Sequence, residues 1–385
     1  MNTSPGDVIA PNVSEKQIHE LVKSLYGFTI RKMKALNGYD DKNFYVQFEE
    51  NFDNPNIKQL HPDGYVFKVT NTEDSKNLKS FDRQLEFMQR LVNAHLPVQA
   101  PILNKEGSFY SLERIYTNGV LQQDATENET YKEHLVRLFT FIPGQILDKT
   151  SDVTPELLYE IGAVCGKMDC AIEDMTDGGL HQMIWNLKNV LDVREYMYVL
   201  QDADKHKLIS DIFNDYETYV VPNLHDLKKV MIHGDFNEQN ILIDTRIDEN
   251  GVKKLHVAGI LDFGDINMAY KVFEVATLMM YCTSSVAMSH IDFMDVCAQC
   301  LAGYLSQVHL NDLEMSMIPL LVASRYAQSL TLGAYTHSLD TSNDYVLATS
   351  RRGWDMLRKL RNIPKGDLLR MWKDKINGIN RSKCS

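Results

Sequence analysis

The 385-residue sequence contains no run approaching the roughly 18 apolar residues that a membrane span requires, so no membrane partner is expected. Its opening, MNTSPGDVIAPNVSE, lacks both a basic segment and an apolar core, and no signal peptide is expected. Positive charge is in deficit: 40 Lys plus Arg stand against 52 Asp plus Glu, a net charge of −12. That balance argues against nucleic acid as a partner, because sequence-independent binding rests on neutralising phosphates. It is compatible with attracting a cationic small molecule. Cysteine is scarce, and the six present (Cys165, Cys170, Cys282, Cys297, Cys300 and Cys384) show no disulfide-framework spacing. Cys297 and Cys300 form a C-x-x-C inside a helical apolar pattern with no second pair nearby, which favours buried free thiols in a reducing compartment over zinc. The cytoplasm is the expected location. Internal repeats and long low-complexity tracts are missing too. Apolar residues at 44% and charged ones at 24% fit an ordinary globular protein, long enough for two lobes or domains.

What is present concentrates between Val230 and Phe273. His233-Gly234-Asp235 is followed by Asn240, and Asp262-Phe263-Gly264-Asp265 comes shortly after. The flanking runs Val230 to Ile232, Ile241 to Ile243 and Val257 to Leu261 read as short buried strands, which places the acids at strand ends and in loops. Such a placement suits phosphoryl transfer. One carboxylate must orient and deprotonate an acceptor hydroxyl, while a second carboxylate and a neutral oxygen hold Mg²⁺ against phosphate oxygens. Asp235 is then the base, with Asn240 and Asp262 as metal ligands. Taken singly, each acid also reads as a turn or capping residue; both loops together, in strand context, favour the metal site. These loops resemble those of the aminoglycoside phosphotransferase-like kinases of small molecules, H-G-D-x-x-x-x-N and D-F-G-D. The Arg of protein kinases is replaced by Gly234, and no A-P-E segment follows.

Earlier in the chain, residues 1–13 read as a flexible leader. Ser14 and Gln17 form a capping box ahead of Ile18, Leu21, Val22 and Leu25, a helix closed by Gly27. Strand patterns follow from Thr29 to Leu36 and Phe44 to Phe48, with a turn at Asn37-Gly38. The tip from Gly38 to Asn43 is either a plain hairpin loop or a loop over nucleotide phosphates, with Gly38 and Asn43 as candidate contacts. Lys68 lies in the strand Tyr65 to Thr70; locally it reads as a solvent-facing residue, and in the kinase pattern as the lysine that holds the α and β phosphates and pairs with a helix carboxylate. The helix from about Ser75 to Ala94 offers Asp82 and Glu86, with Gln84 between them, and the spacing does not choose. After the polar run Gln122 to Thr130, His134 to Ile142 reads as a buried strand closed by Pro143-Gly144, and the backbone from Arg137 to Thr140 is the candidate for facing a nucleotide base. Beyond Asp148 the patterns are mostly helical: Thr154 to Met168, Met268 to Met288, Asp292 to Ser306, Asn311 to Thr336, Ser342 to Leu360 and Asp367 to Lys375.

Four stretches narrow the resemblance: LYGFTIRKMKALNGYDDKNFYV, HGDFNEQNILI, GILDFGDINMAYKVFEVA and SRYAQSLTLGAY. Together they are similar to the hydroxylysine kinases, a branch of the same family, from about Leu21 to past Leu360. The resemblance implies an α+β, protein-kinase-like bilobal fold with a small antiparallel-sheet N-lobe and a larger, mainly helical C-lobe: residues 1–27 a leader and helix, 28–142 the nucleotide-binding lobe, 143–385 the helical lobe. It implies transfer of a γ-phosphoryl group from GTP, with Mg²⁺, to the 5-hydroxyl of 5-hydroxy-L-lysine. ATP as donor, another alcohol acceptor (choline, ethanolamine, homoserine or a sugar) and a non-catalytic nucleotide-binding scaffold remain alternatives. Where family members commonly start a helix with D-L-A, this chain has Glu274-Val275-Ala276, and the glutamate still suits a brace on the catalytic loop. For a substrate carrying a carboxylate and ammonium groups, Arg325, Trp185, Tyr281 and Asp265 are candidates by chemistry. Arg325 is the preferred carboxylate anchor; its plainer reading is a salt bridge among C-terminal helices, and that of Trp185 is core packing.

Overall fold

A computed structural model describes residues 10–36, 38, 41–116, 119–120, 124–125, 129–177, 184–339 and 349–384. Parts of several segments singled out above lie outside the described residues: 1–9 of the leader, Asn37, Tyr39 and Asp40 of the hairpin turn, 122–123 and 126–128 of the polar run, and 342–348 ahead of a C-terminal helix. The chain separates into two compact units, one drawn from Met1–Val92 and Val98–Pro143, the other from Asn93–Pro97 and Gly144–Ser385.

In the first unit, helix α1 (Glu15–Tyr26) opens with the expected capping box: Gln17 N–H reaches Ser14 Oγ at 3.3 Å and Ser14 N–H reaches Gln17 Oε1 at 2.9 Å. It ends at Gly27, whose φ of +69° suits glycine and whose absent side chain leaves room for the Asp53 carbonyl. Ile18, Leu21, Val22 and Tyr26 form its inner face at helical spacing and pack with Phe28, Phe48, Tyr65, Phe67 and Leu138. Truncating one of these, Ile18→Ala for instance, removes packing worth about 2–5 kcal/mol. Strands β1 (Ile30–Leu36), β2 (Lys42–Phe48), β3 (Tyr65–Val69), β4 (Tyr110–Tyr116) and β5 (Tyr131–Thr140) form an antiparallel sheet ordered β1-β2-β3-β5-β4. Register sets Asn43 opposite Lys68 and Lys68 opposite Arg137. Helix α2 (Leu78–Asn93) starts later than its sequence pattern, because Asp74–Lys76 first makes a 3-10 turn. It buries Phe81, Gln84, Leu85, Met88 and Leu91 along one stripe.

The second unit is mainly helical. β6 (Gln145–Ile146), β8 (Ile241–Ile247) and β9 (Lys253–Ile260) make one small sheet, and β7 (Lys229–Ile232) pairs with β10 (Asn267–Tyr270) in a ribbon. Here the apolar stretch from Met268 departs from a continuous helix. Met268 and Ala269 pair with Met231 and Val230, supplying β7 with hydrogen-bond partners, so the helix α5 runs only from Lys271 to Ser284. Every residue from Val272 to Ser284 is buried, which accounts for its mostly apolar sequence. Around it stand α3 (Pro155–Ile172), α4 (Ala203–Asp215), α6 (Phe293–Leu305), α7 (Asp312–Leu339), α8 (Ser350–Asn362) and α9 (Lys365–Cys384). Gly162 of α3 and Gly303 of α6 let these helices touch backbone to backbone, since a Cβ at either would collide with a carbonyl oxygen of the other helix. Cys297 and Cys300 lie buried in α6 as free thiols, with Cys165 and Cys282 also buried and free. Among the described residues, no helix is long and apolar enough to cross a membrane.

Candidate active site

Strand β7 delivers the chain into the acid-bearing loop, where Asp235, Asn237 and Gln239 are half-buried and Phe236, Glu238 and Asn240 buried, an alternation that turns one side of the loop inwards. His233 is fully buried between Phe236 and Phe263, ring centroids 5.7 and 5.3 Å away. Its Nε2 donates to the Leu261 carbonyl at 3.1 Å, which leaves Nδ1 to accept the Asp235 N–H at 3.3 Å. Leu261 in turn donates its N–H to the Asn240 carbonyl at 2.9 Å. These contacts stitch the loop after β7 to the loop after β9, so Asp262 follows a residue held by both His233 and Asn240.

Gly234 sits at φ +80°, and a Cβ there would collide with Asn267 Nδ2 and the Asp265 carbonyl. An arginine, the protein-kinase residue at this place, has no room. Gly234 N–H donates to Glu274 Oε2 at 2.9 Å, so the glutamate opening α5 braces the loop as its sequence position suggests. Asp235 is clamped from both sides. Oδ2 accepts from Asn237 Nδ2 at 2.8 Å and Asn240 Nδ2 at 3.1 Å, and Oδ1 accepts from Arg325 Nη2 at 3.3 Å. Asn237 also closes the turn, its Oδ1 accepting the N–H groups of Gln239 and Asn240 at 2.8 and 3.2 Å. Asp262 holds the left-handed φ of +60°, a conformation costing about 1–2 kcal/mol that a short polar side chain tolerates best. Its Oδ1 accepts Gly264 N–H at 3.2 Å, stabilising the turn.

Arg325, on α7, is 1% exposed. Its guanidinium lies 5.3 Å from the ring centroids of both Trp185 and Tyr281. Nη1 donates to the Trp185 carbonyl at 2.6 Å and to Gln328 Oε1 at 3.0 Å, while the buried Nε has no hydrogen-bond partner. In place of the plainer alternative, a salt bridge among C-terminal helices, this arginine pairs with Asp235 of the loop after β7. Trp185 is half-buried beside it rather than a closed core residue. Asp265 joins through its backbone: its carbonyl accepts Asn267 Nδ2 at 2.7 Å, and Asn267 Oδ1 accepts Asn186 Nδ2 at 2.8 Å. Beneath the loop lie carboxyls whose pKa burial raises. Burial, with help from Asp148 and Asp235, pushes Glu238 up to about 8. Burial also raises Glu274, against the pull of His233, the Gly234 N–H and Arg325. The Tyr281 phenol is pushed up to about 12 by burial, which Arg325 partly offsets.

In the first unit the expected partners of Lys68 are otherwise engaged. Asp82 accepts from the Tyr110 hydroxyl at 2.9 Å, Glu86 pairs with Arg83 and Arg90 at 2.6 and 3.1 Å, and Gln84 Oε1 accepts from Arg137 at 3.1 Å. Lys68 Nζ instead meets Asp41 Oδ2 at 2.8 Å. The helix carboxylates are drawn off by neighbours on and beside α2, whereas Asp41 comes from the hairpin tip next to the strand register of Lys68. Arg137 stands mid-ladder between Lys68 and Tyr110, with its guanidinium 4.3 Å from the Phe81 ring. Thr140 donates its N–H to the Ala100 carbonyl at 2.9 Å and accepts from Gln99 at 3.2 Å. Neither turns free backbone groups towards a base, because the strand is central and its last residue is tied to residues 99–100. Gly38 packs against the tip, where a Cβ would press on the Asp41 carbonyl and Asn43 Nδ2. Asn237 and Asp41 were not singled out by sequence reasoning, although both lie inside motifs that were.

Residues 45–295 match the family described as the phosphotransferase enzyme family. The hydroxylysine kinase of Xenopus laevis is 32% identical over 376 residues, covering 94% of this chain and 93% of that protein. That of Danio rerio is 30% identical over 368 residues, covering 94% and 95%. Among solved structures, the amicoumacin kinase hAmiN in complex with AMP-PNP, Ca²⁺ and Ami has a TM-score of 0.61 at 15% identity, covering 91% of this chain and 95% of that one. The fold is accordingly kinase-like, with an antiparallel-sheet N-terminal region and a helical C-terminal region. This chain belongs to the phosphotransferase enzyme family and, within it, to the hydroxylysine kinases, and it is a phosphotransferase with an alcohol group as acceptor.

Proposed function

We propose that this enzyme transfers the γ-phosphoryl group of GTP, as its Mg²⁺ complex, to the 5-hydroxyl of 5-hydroxy-L-lysine. The observation that carries the reading is the stitched pair of loops, in which one carboxylate is clamped as an acceptor-orienting group beside an amide oxygen and a second carboxylate. The donor set fits magnesium. Asn240 spends its amide nitrogen on Asp235 and leaves Oδ1 as a neutral oxygen, and Asp262 adds an exposed carboxylate. Both are hard oxygen donors, and their small number suits an ion that keeps phosphate and water ligands. When bound, the ion supplies charge neutralisation at the phosphate oxygens.

Asp235 orients the acceptor hydroxyl and takes its proton as the hydroxyl oxygen bonds to the γ-phosphorus and the bond from that phosphorus to the bridging oxygen breaks. Asn237, Asn240 and Arg325 hold the carboxylate still for this task. Lys68 holds the phosphates. The Nε of Arg325, together with Nη2 the edge that grips a carboxylate, takes the acceptor's carboxylate. Trp185, Tyr281 and Asp265 surround the acceptor. The relatives named above support hydroxylysine as that acceptor, and the free buried thiols support a reducing, cytoplasmic setting. The test is a screen of free amino acids and amino alcohols with Mg-GTP and Mg-ATP, read by mass spectrometry. Phosphohydroxylysine as the chief product supports the reading; a different phosphorylated alcohol replaces it.

A further inference from the structure

Asp41 lies in the hairpin tip, and its carboxylate is fixed at both oxygens. Oδ1 accepts the Asn71 N–H at 2.8 Å and Asn71 Nδ2 at 3.1 Å, and Oδ2 meets Lys68 Nζ at 2.8 Å. Asn71 is itself anchored, since its Nδ2 also reaches Asp74 Oδ2 at 2.7 Å and its Oδ1 accepts the N–H groups of Glu73 and Asp74 at 3.0 and 2.9 Å. The pair is shielded, with side-chain exposures of 22% for Lys68 and 15% for Asp41. Burial works against the Asp41 charge, and Lys68 with the Asn71 N–H outweighs it, holding the carboxyl below its ordinary range. A carboxylate gripped at once by Lys68 of β3 and by Asn71 just beyond that strand is placed far more firmly than a surface ion pair. Meanwhile the α2 residue at the intermediate position is Gln84, which serves Arg137.

We infer that Asp41 is the positioning residue for the phosphate-binding lysine, so that the hairpin itself, and not helix α2, aims Lys68 at the nucleotide. A lysine ammonium has three donors, and the bond to Asp41 leaves others for phosphate oxygens. The consequence is a coupling: the lysine is aimed only while Asp41 stays tied to Asn71. This rests on the nucleotide role given above to Lys68.

The test measures nucleotide binding by calorimetry on the full chain, with Mg-GTP or a non-hydrolysable analogue and no acceptor, so its outcome stands apart from the identity of the acceptor. Asp41→Asn is expected to weaken binding roughly tenfold, and Asp41→Glu to recover part of the loss. In a Lys68→Met background, Asp41→Asn is expected to change nothing further. Steady-state assays should show the loss in nucleotide KM and kcat, with acceptor KM unchanged. Unaltered or tighter nucleotide binding by Asp41→Asn overturns the inference, as does an equal loss with and without Lys68, which marks a purely structural role. Failure of hydroxylysine to act as acceptor, with the binding results intact, overturns only the acceptor assignment.

Discussion

Replacing Arg325 by glutamine separates its contact with Asp235 from the carboxylate anchoring proposed for it. The guanidinium is buried, contacts Asp235 Oδ1 at 3.3 Å, and carries an unpartnered Nε. Glutamine preserves a donor but removes the charge and the fork. If Arg325 only positions Asp235, every acceptor suffers alike. If it also grips the acceptor carboxylate, an additional charge-assisted contact of about 1.5–3 kcal/mol is lost, roughly 10- to 150-fold in kcat/KM, for acceptors that possess a carboxylate. The assay compares 5-hydroxylysine with 1,5-diaminopentan-2-ol, which keeps the hydroxyl and both amines and lacks the carboxylate. The variant should lose the larger factor on hydroxylysine, chiefly in KM, and the smaller factor on the diamino alcohol, chiefly in kcat. Thermal melting establishes that both proteins are folded, since the substitution removes a buried guanidinium and its hydrogen bonds. Equal losses on the two acceptors would refute carboxylate anchoring, and undiminished activity on both would refute any part for Arg325 in catalysis.

The other predictions address the loop itself. Asp235→Asn should lower kcat on the order of 10²-fold or more with the fold intact, and turnover near that of the parent enzyme would contradict its role. Gly234→Ala forces a side chain into a φ +80° position against Asn267 and Asp265, so both melting temperature and kcat should fall; a variant with parental stability would show that the loop yields there. Glu238→Gln tests the buried carboxyl at about 8: between its ordinary value of 4.5 and 8 the folded protein keeps a proton that the unfolded chain has released. Stability therefore falls with rising pH through that window by about 1.4 kcal/mol per unit, and denaturant titrations at pH 6 and 7.5 should find the variant's slope shallower by that amount.

How much of this was legible in the sequence depends on how local each determinant is. The capping box at Ser14, the strands flanking Asp235 and the helix from Thr154 follow from spacing, since period and capping are properties of neighbouring residues. The strand Asn267–Tyr270 was hidden because its apolar residues satisfy a helical pattern equally well, and only pairing with β7 decides. The partner of Lys68 was hidden for a related reason. Spacing on α2 offered Asp82 and Glu86, and nothing in spacing shows that Tyr110, Arg83 and Arg90 claim them. Arg325 was picked for its chemistry, but its contact with Asp235 joins residues far apart in the chain, and no local rule supplies such a pair.

The charge arrangement around Asp235 gives those long-range contacts a common purpose. Several carboxyls crowd the loop, and a buried guanidinium would be neutralised by whichever ionised first. Burial raises Glu238 to about 8 and so keeps it out of that competition near neutral pH, and it pushes Glu274 upwards as well. Asp235 is half-exposed, and it is the carboxylate in contact with Arg325. Burial thus selects which acid carries the charge, and the clamp of Asn237 and Asn240 fixes where that charge points. Above pH 8, ionisation of Glu238 adds a negative charge under the same loop. The loss of that selection then limits the alkaline side of the reaction. A Glu238→Gln enzyme that keeps its activity further into alkali than its parent is the expected sign of it, and an unchanged alkaline limb would assign the limit elsewhere.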